Sequence, residues 1–180
     1  FYLGVRAHNN GKLKDAVSFY NMALSIKPGE VNILLNRGSA LNDLGKYDQA
    51  LADYKALLKK QPNNIDAINN VGVIYIKRNM FSEAVKIYKK IISLNPGYAS
   101  AYYNLACVFA KQNNSKSACE YIRKAVRKGF NKWSWMKQDP DLDNIRNSSC
   151  YKKIIKFKYR KNREKVKSKT KNRNNSKNKN

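Results

Sequence analysis

Asn36, Asn70 and Asn104 stand 34 residues apart, three side-chain amides at one fixed interval. An asparagine amide both donates and accepts hydrogen bonds. A row of them can therefore hold the main chain of an extended peptide without demanding a particular sequence. That chemistry is non-covalent recognition. Asparagine is abundant, 24 of the 180 residues, so the interval gains weight only from what surrounds it.

The residue types needed for covalent chemistry are sparse. His8 is the single histidine and has no supporting partner nearby in sequence, which leaves Ser–His and Cys–His catalysis without a site. The glycines are dispersed and form no phosphate-binding loop, and no zinc-ligand spacing is present. Asp139, Asp141 and Asp143 form an acidic run without the glycine and later glutamate of a calcium loop. Asp141 is expected to cap a short helix instead. Cys107, Cys119 and Cys150 make no CxxC pair, and their odd number suggests no disulfide framework. They read as buried or incidental thiols in a reducing compartment. No enzymatic activity, metal or cofactor is expected.

A second cluster lies near the end of the chain. Lys152, Lys153, Lys156, Lys158, Arg160, Lys161 and Arg163 interleave with Tyr151, Phe157 and Tyr159. Cations among aromatic rings suit a nucleic acid or an anionic membrane, through non-specific contacts that weaken steeply with salt. The formal net charge is +25 over the whole sequence, and about half of it falls in residues 151–180. No run of 18 apolar residues is present to span a membrane.

The elements that position these groups follow from one period. Gly4, Gly38, Gly72 and Ala106 recur every 34 residues, as do Ala16, Ala50, Ala84 and Ala118. Small residues in two neighbouring helices are expected to let their backbones approach closely. Gly11, Gly45, Asn79 and Asn113 mark the turns, since these types best tolerate the left-handed conformation that ends a helix. Pro28, Pro62 and Pro96 stop every second helix. Large apolar residues fill the columns between, as in Leu41, Tyr75 and Phe109, at helical spacing. Helices are expected at 1–9, 13–27, 31–44, 47–60, 65–78, 81–94, 99–112 and 115–128. Asp48, Asn64 and Ser82 are the expected helix starts.

A fixed period of this size signals stacked supersecondary units. Over Phe1 to about Lys128 the columns resemble the tetratricopeptide repeat (TPR), with three close matches and a weaker fourth. The resemblance implies an all-α fold, an α-solenoid of about four helix–turn–helix repeats whose first helices line a concave groove. It implies that this groove binds a peptide or a partner protein, and it places Asn36, Asn70 and Asn104 there. Asn32, Ser39, Asp66, Val73, Lys77, Tyr103 and Lys111 take neighbouring groove positions. Some members clamp chaperone C-termini with Lys, Asn and Arg in this groove. The matching positions here hold Leu35 and Ser39, Asn70, and then Ser100 and Asn104. Only Asn70 fits, so that clamp is not expected.

Gly129 replaces the fourth terminal proline and should cap its helix. The phrase Asp139-Pro-Asp-Leu-Asp-Asn-Ile-Arg146 resembles the element that closes many bacterial-type TPR arrays. Trp133, Trp135, Met136, Leu142 and Ile145 are expected to cover the last repeat, because a terminal repeat without a successor exposes an apolar face. The expected organisation is an array at 1–128 with its first repeat truncated, a capping segment and basic helix at 129–166, and a disordered Lys/Asn-rich tail at 167–180. A start at Phe1 rather than Met suggests a fragment. The expected function is a non-enzymatic protein-interaction scaffold. Polyanion binding by the basic end is the alternative, and assembly of a membrane complex, a role of TPR proteins of similar length, is another. The thiols suggest a cytoplasmic location.

Overall fold

The computed structural model describes residues 1–157, all of them helix, turn or irregular chain, with no strand among them. The expected tail at 167–180 lies outside the described residues. Four helix pairs follow one another: α1 (Tyr2–Asn9) and α2 (Leu13–Ile26), α3 (Val31–Asp43) and α4 (Tyr47–Lys60), α5 (Ile65–Lys77) and α6 (Phe81–Leu94), α7 (Ala99–Lys111) and α8 (Ser115–Arg127). Then come α9 (Trp133–Gln138), a 3-10 turn at Pro140–Leu142, α10 (Asp143–Arg146) and α11 (149–157). The fold is an all-α solenoid of helical hairpins. The chain divides into two compact units, Phe1–Asn104 and Leu105–Asn180, and the division falls inside α7.

The hairpin turn is one device used repeatedly. Gly11, Gly45, Asn79 and Asn113 all have positive φ, from 58° to 74°. The residue after each returns its N–H to the last turn of the preceding helix: Lys12 to Ala7, Lys46 to Leu41, Met80 to Tyr75 and Asn114 to Phe109, at 2.8–2.9 Å. This six-residue bond satisfies a carbonyl that the helix end would otherwise orphan. Gly129, at φ 99°, repeats it after α8, where Phe130 N–H reaches Ala125 O at 3.0 Å. The second helices of the first three pairs end two residues before a proline. Lys27, Gln61 and Asn95 precede Pro28, Pro62 and Pro96 with ψ between 79° and 91°, outside the helical region that a following proline disfavours.

Helix starts follow the expectation only in part. Asn64 caps α5, its Oδ1 accepting from Ala67 N–H at 3.0 Å. Asn114 caps α8 in the same way through Ser117 N–H. Asp48 and Ser82 lie inside the first turns of α4 and α6, because each helix begins two residues earlier than their capping would require. Asp48 still places negative charge where a helix N-terminus favours it, and it pairs with Arg78 at 2.8 Å.

Within Phe1–Asn104 each helix packs on the next from α1 to α6, and α3 also touches α5. Tyr20, Tyr54 and Tyr88 are wholly buried. A Cβ built on Gly4, Gly38 or Gly72 would lie 2.6–2.7 Å from the ring of Tyr20, Tyr54 or Tyr88 respectively. The glycine column therefore makes room for a tyrosine ring from the second helix, a contact the sequence reading assigned to two backbones. In the Leu105–Asn180 unit the same two columns hold Ala106 and Ile122, both fully buried. A smaller partner there coincides with a Cβ on the first helix.

Candidate functional site

The expected groove residues sit on the first helices, most of them in the Phe1–Asn104 unit. Asn36, Asn70 and Asn104 are all half-buried. The Asn36 Nδ2 donates to Asn32 O on its own helix at 2.7 Å, and Asn104 Nδ2 donates to Asn69 Oδ1 at 2.9 Å. Asn70 stands beside the Tyr54 hydroxyl, which meets no partner at hydrogen-bond geometry. Burial pushes the Tyr54 phenol well above its ordinary pKa, and Asn70 opposes that shift only in part. Asn32 and Asp66 are exposed, while Ser39 and Val73 are half-buried.

Contacts separated by 35 residues join neighbouring first helices. His8 Nε2 meets Asp43 Oδ2 at 2.9 Å, and Lys77 Nζ donates to Asn42 Oδ1 at 3.3 Å, the same step one repeat later. The Asn69–Asn104 bond makes that step seven positions earlier in the repeat. His8 thus has a partner after all, one repeat away in sequence. Lys77 also lies over the Tyr47 ring at 5.8 Å. Behind the face, Arg37 makes two bonds to the buried Asp53, Nε to Oδ2 at 2.8 Å and Nη2 to Oδ1 at 2.6 Å, and a third to Asn21. The Asp53 bond raises the Arg37 pKa further, so the guanidinium remains a fixed cation that orders the α3–α4 hairpin.

Two expected groove residues are placed otherwise. Tyr103 is 1% exposed. Its large ring gains more from burial than from solvent contact at a position where Leu35 and Asn69 remain half-buried. Lys111, in the Leu105–Asn180 unit, is engaged by Asp141 at 3.2 Å.

The acidic run is engaged by the protein itself. Asp139 caps the 3-10 turn, its Oδ1 accepting from Asp141 N–H at 3.0 Å, the role expected of Asp141. Asp143 pairs with Arg146. Met136, Leu142 and Ile145 are fully buried and Trp133 half-buried. Trp135, expected to join them, is 52% exposed, since on the short α9 the inward position belongs to its neighbour Met136.

The cysteine reading needs correction. Cys119 and Cys150 form a disulfide, with Cα atoms 6.1 Å apart across 31 positions of sequence. Cysteine spacing could not show this, because the pairing depends on α11 folding back against α8. Cys107 remains a buried thiol. On α11, Lys152, Lys153 and Lys156 are exposed while Tyr151 and Ile154 are buried. The Tyr151 hydroxyl donates to Met136 O at 3.0 Å. Lys158, Arg160, Lys161 and Arg163 lie outside the described residues.

Residues 41–105 match a family profile described as Tetratricopeptide repeat, and residues 99–127 match a second of the same description. The chain is a tetratricopeptide repeat protein. Among solved structures it is similar to a TPR protein from Parabacteroides merdae, at 26% identity and TM-score 0.72, covering 86% of this chain and 61% of that one. It is also similar to MamA from Desulfovibrio magneticus RS-1, at 20% identity and TM-score 0.67, covering 93% of each chain. A further MamA structure gives 21% identity and TM-score 0.69, with 92% of this chain and 97% of that one covered. No curated protein sequence matches. TPR arrays are in general protein-interaction scaffolds, and that is the function class of this protein.

The sequence reading missed Asn42 and the pairing of His8 with Asp43. Their signal was available in complementary polar types one repeat plus one residue apart.

Proposed function

We propose that this TPR protein holds an extended segment of a partner protein along α3, α5 and the start of α7. The supporting observation is that Asn36, Asn70 and Asn104 occupy one column on successive first helices of one compact unit, each half-buried. Their amides can exchange weak internal bonds for bonds to a guest main chain. Asn36 would release a carbonyl of its own helix, and Asn104 would release Asn69. Arg37 and Asp53 keep the helix beneath fixed, so the wall is ordered before the guest arrives. Affinity should be roughly micromolar, since a flexible peptide loses freedom on binding.

Peptides selected from a random library against the intact chain test this reading. Replacing Asn36, Asn70 and Asn104 together by Ala should weaken the selected peptides on the order of tenfold while helical circular dichroism stays the same. Equal binding to both proteins would sink the reading.

A second reading draws on Lys152, Lys153 and Lys156, exposed along α11. They support electrostatic attachment to a nucleic acid or an anionic membrane. Replacing all three by Gln should lower binding to RNA or anionic vesicles at low salt; unchanged binding removes it.

A further inference from the structure

Outside the peptide face, the Leu105–Asn180 unit holds a cleft of about 440 Å³ between α8, α9 and α11. Val126 and the stems of Arg123 and Arg127 form one wall, from a single face of α8. Ile154 and Phe157 of α11 form the other, and Trp133 of α9 closes the floor. The walls are apolar. The charged groups sit at the mouth, because Arg123, Arg127 and Lys153 are all exposed and carry their heads to solvent on apolar stems. Among the described residues no carboxylate pairs with these three. The nearest acid on α8, Glu120, is bonded to Lys124 at 2.7 Å.

The disulfide fixes the opening. Cys119 lies one helical turn before Arg123, and Cys150 one turn before Lys153 and Ile154. The bond joins the two walls beside the cleft, so their separation is set before anything enters.

We propose that this cleft binds a small anionic amphiphile, an alkyl chain carrying a carboxylate. The volume sits at the lower end of ligand pockets, roughly 300–1,000 Å³, which suits one small molecule and not a folded segment of a partner. The apolar walls exclude a nucleobase, whose hydrogen-bonding edges would lose their water without replacement. Two guanidiniums and an ammonium at the mouth select a negative head, and guanidinium is the group that matches a carboxylate in two bonds.

The probe is sodium decanoate, titrated into the intact, oxidised chain carrying Trp135→Phe. The chain has two tryptophans, so emission then reports Trp133 alone. A saturable change is expected, with decan-1-ol and decylammonium each on the order of tenfold weaker. Arg123→Gln with Arg127→Gln should weaken decanoate on the order of tenfold, and Val126→Phe, which fills the cleft, should abolish the saturable change. Both variants are to be matched to the parent by circular dichroism. The Gln pair changes only exposed side chains, so the test survives if Val126→Phe disturbs packing. A non-saturating response overturns the proposal, as does equal binding of decylammonium or an unchanged midpoint in the Gln variant.

Discussion

Gly38 leaves its side-chain space to Tyr54: a Cβ at Gly38 would stand 2.6 Å from the ring carbon Cε1. Tyr54 has no exposed surface and cannot swing away without opening the core it shares with Leu34, Leu57 and Ile74. Alanine in a helix is favoured over glycine by about 0.5–1 kcal/mol. The overpacking penalty, about 1–3 kcal/mol, should exceed that gain. Gly38→Ala is therefore expected to lose about 1 kcal/mol in urea unfolding. Adding Tyr54→Ile, which copies the Ala106 and Ile122 pair, should recover part of the loss. A single variant as stable as the parent would refute the packing account.

The hydroxyl at the far end of the same ring leads to a second expectation. Tyr54 Oη is buried without a hydrogen-bond partner, and Tyr20 Oη is in the same position one repeat earlier. A buried polar atom without a partner costs about 1–3 kcal/mol of desolvation. Tyr54→Phe should thus leave stability unchanged or raise it by up to about 1 kcal/mol. A loss of that size would mean that Asn70, or a water, bonds the hydroxyl in solution.

Alkaline pH should act through these rings. Burial raises the pKa of Tyr54, and it also raises Tyr20, Tyr98 and Tyr151. The fold thus keeps phenolic protons that the unfolded chain releases above about pH 10. Below that pH both states hold the protons, and the tyrosines add no slope. Above it the unfolded chain binds fewer protons, and stability falls as pH rises toward the folded-state values. Phenolate absorbance of the buried rings should grow together with the loss of helical signal. Ionisation of these rings in a chain that remains fully helical would contradict the assignment.

The period in the sequence was enough to place every hairpin, because positive φ at Gly11, Gly45, Asn79 and Asn113 and the stop at each proline are local backbone effects. What the glycine column packs against was not legible, since the contact between Gly38 and Tyr54 depends on how two helices cross. Asp48 and Ser82 failed as caps for a similar reason: both are good capping types, but the turn geometry started each helix two residues earlier. On the candidate face the interval of the asparagine column was visible, but only the resemblance to the repeat assigned it to the first helices. Tyr103 was not, because its helical phase placed it near the groove while its size drew it into the interior. The Cys119–Cys150 bond lay furthest from sequence reasoning, since it joins the last hairpin to a helix outside the repeat pattern.

That bond carries the remaining prediction. Phe1–Asn104 contains no cysteine, so reduction can act only on Leu105–Asn180. Closing a loop with 31 positions of separation removes freedom from the unfolded chain, worth about 3–4 kcal/mol in the chain-entropy picture. Reduction, or Cys150→Ser, should therefore lower the stability of the second unit by about that amount and leave the first unchanged. Hydrogen exchange resolves the two. Amides of α8 and α11 should lose protection under reducing conditions while those of α3 and α5 keep it, because this bond joins α11 to α8. Equal protection of α8 and α11 in both states would show that the apolar contacts suffice, and that the disulfide adds nothing to the fold of this unit.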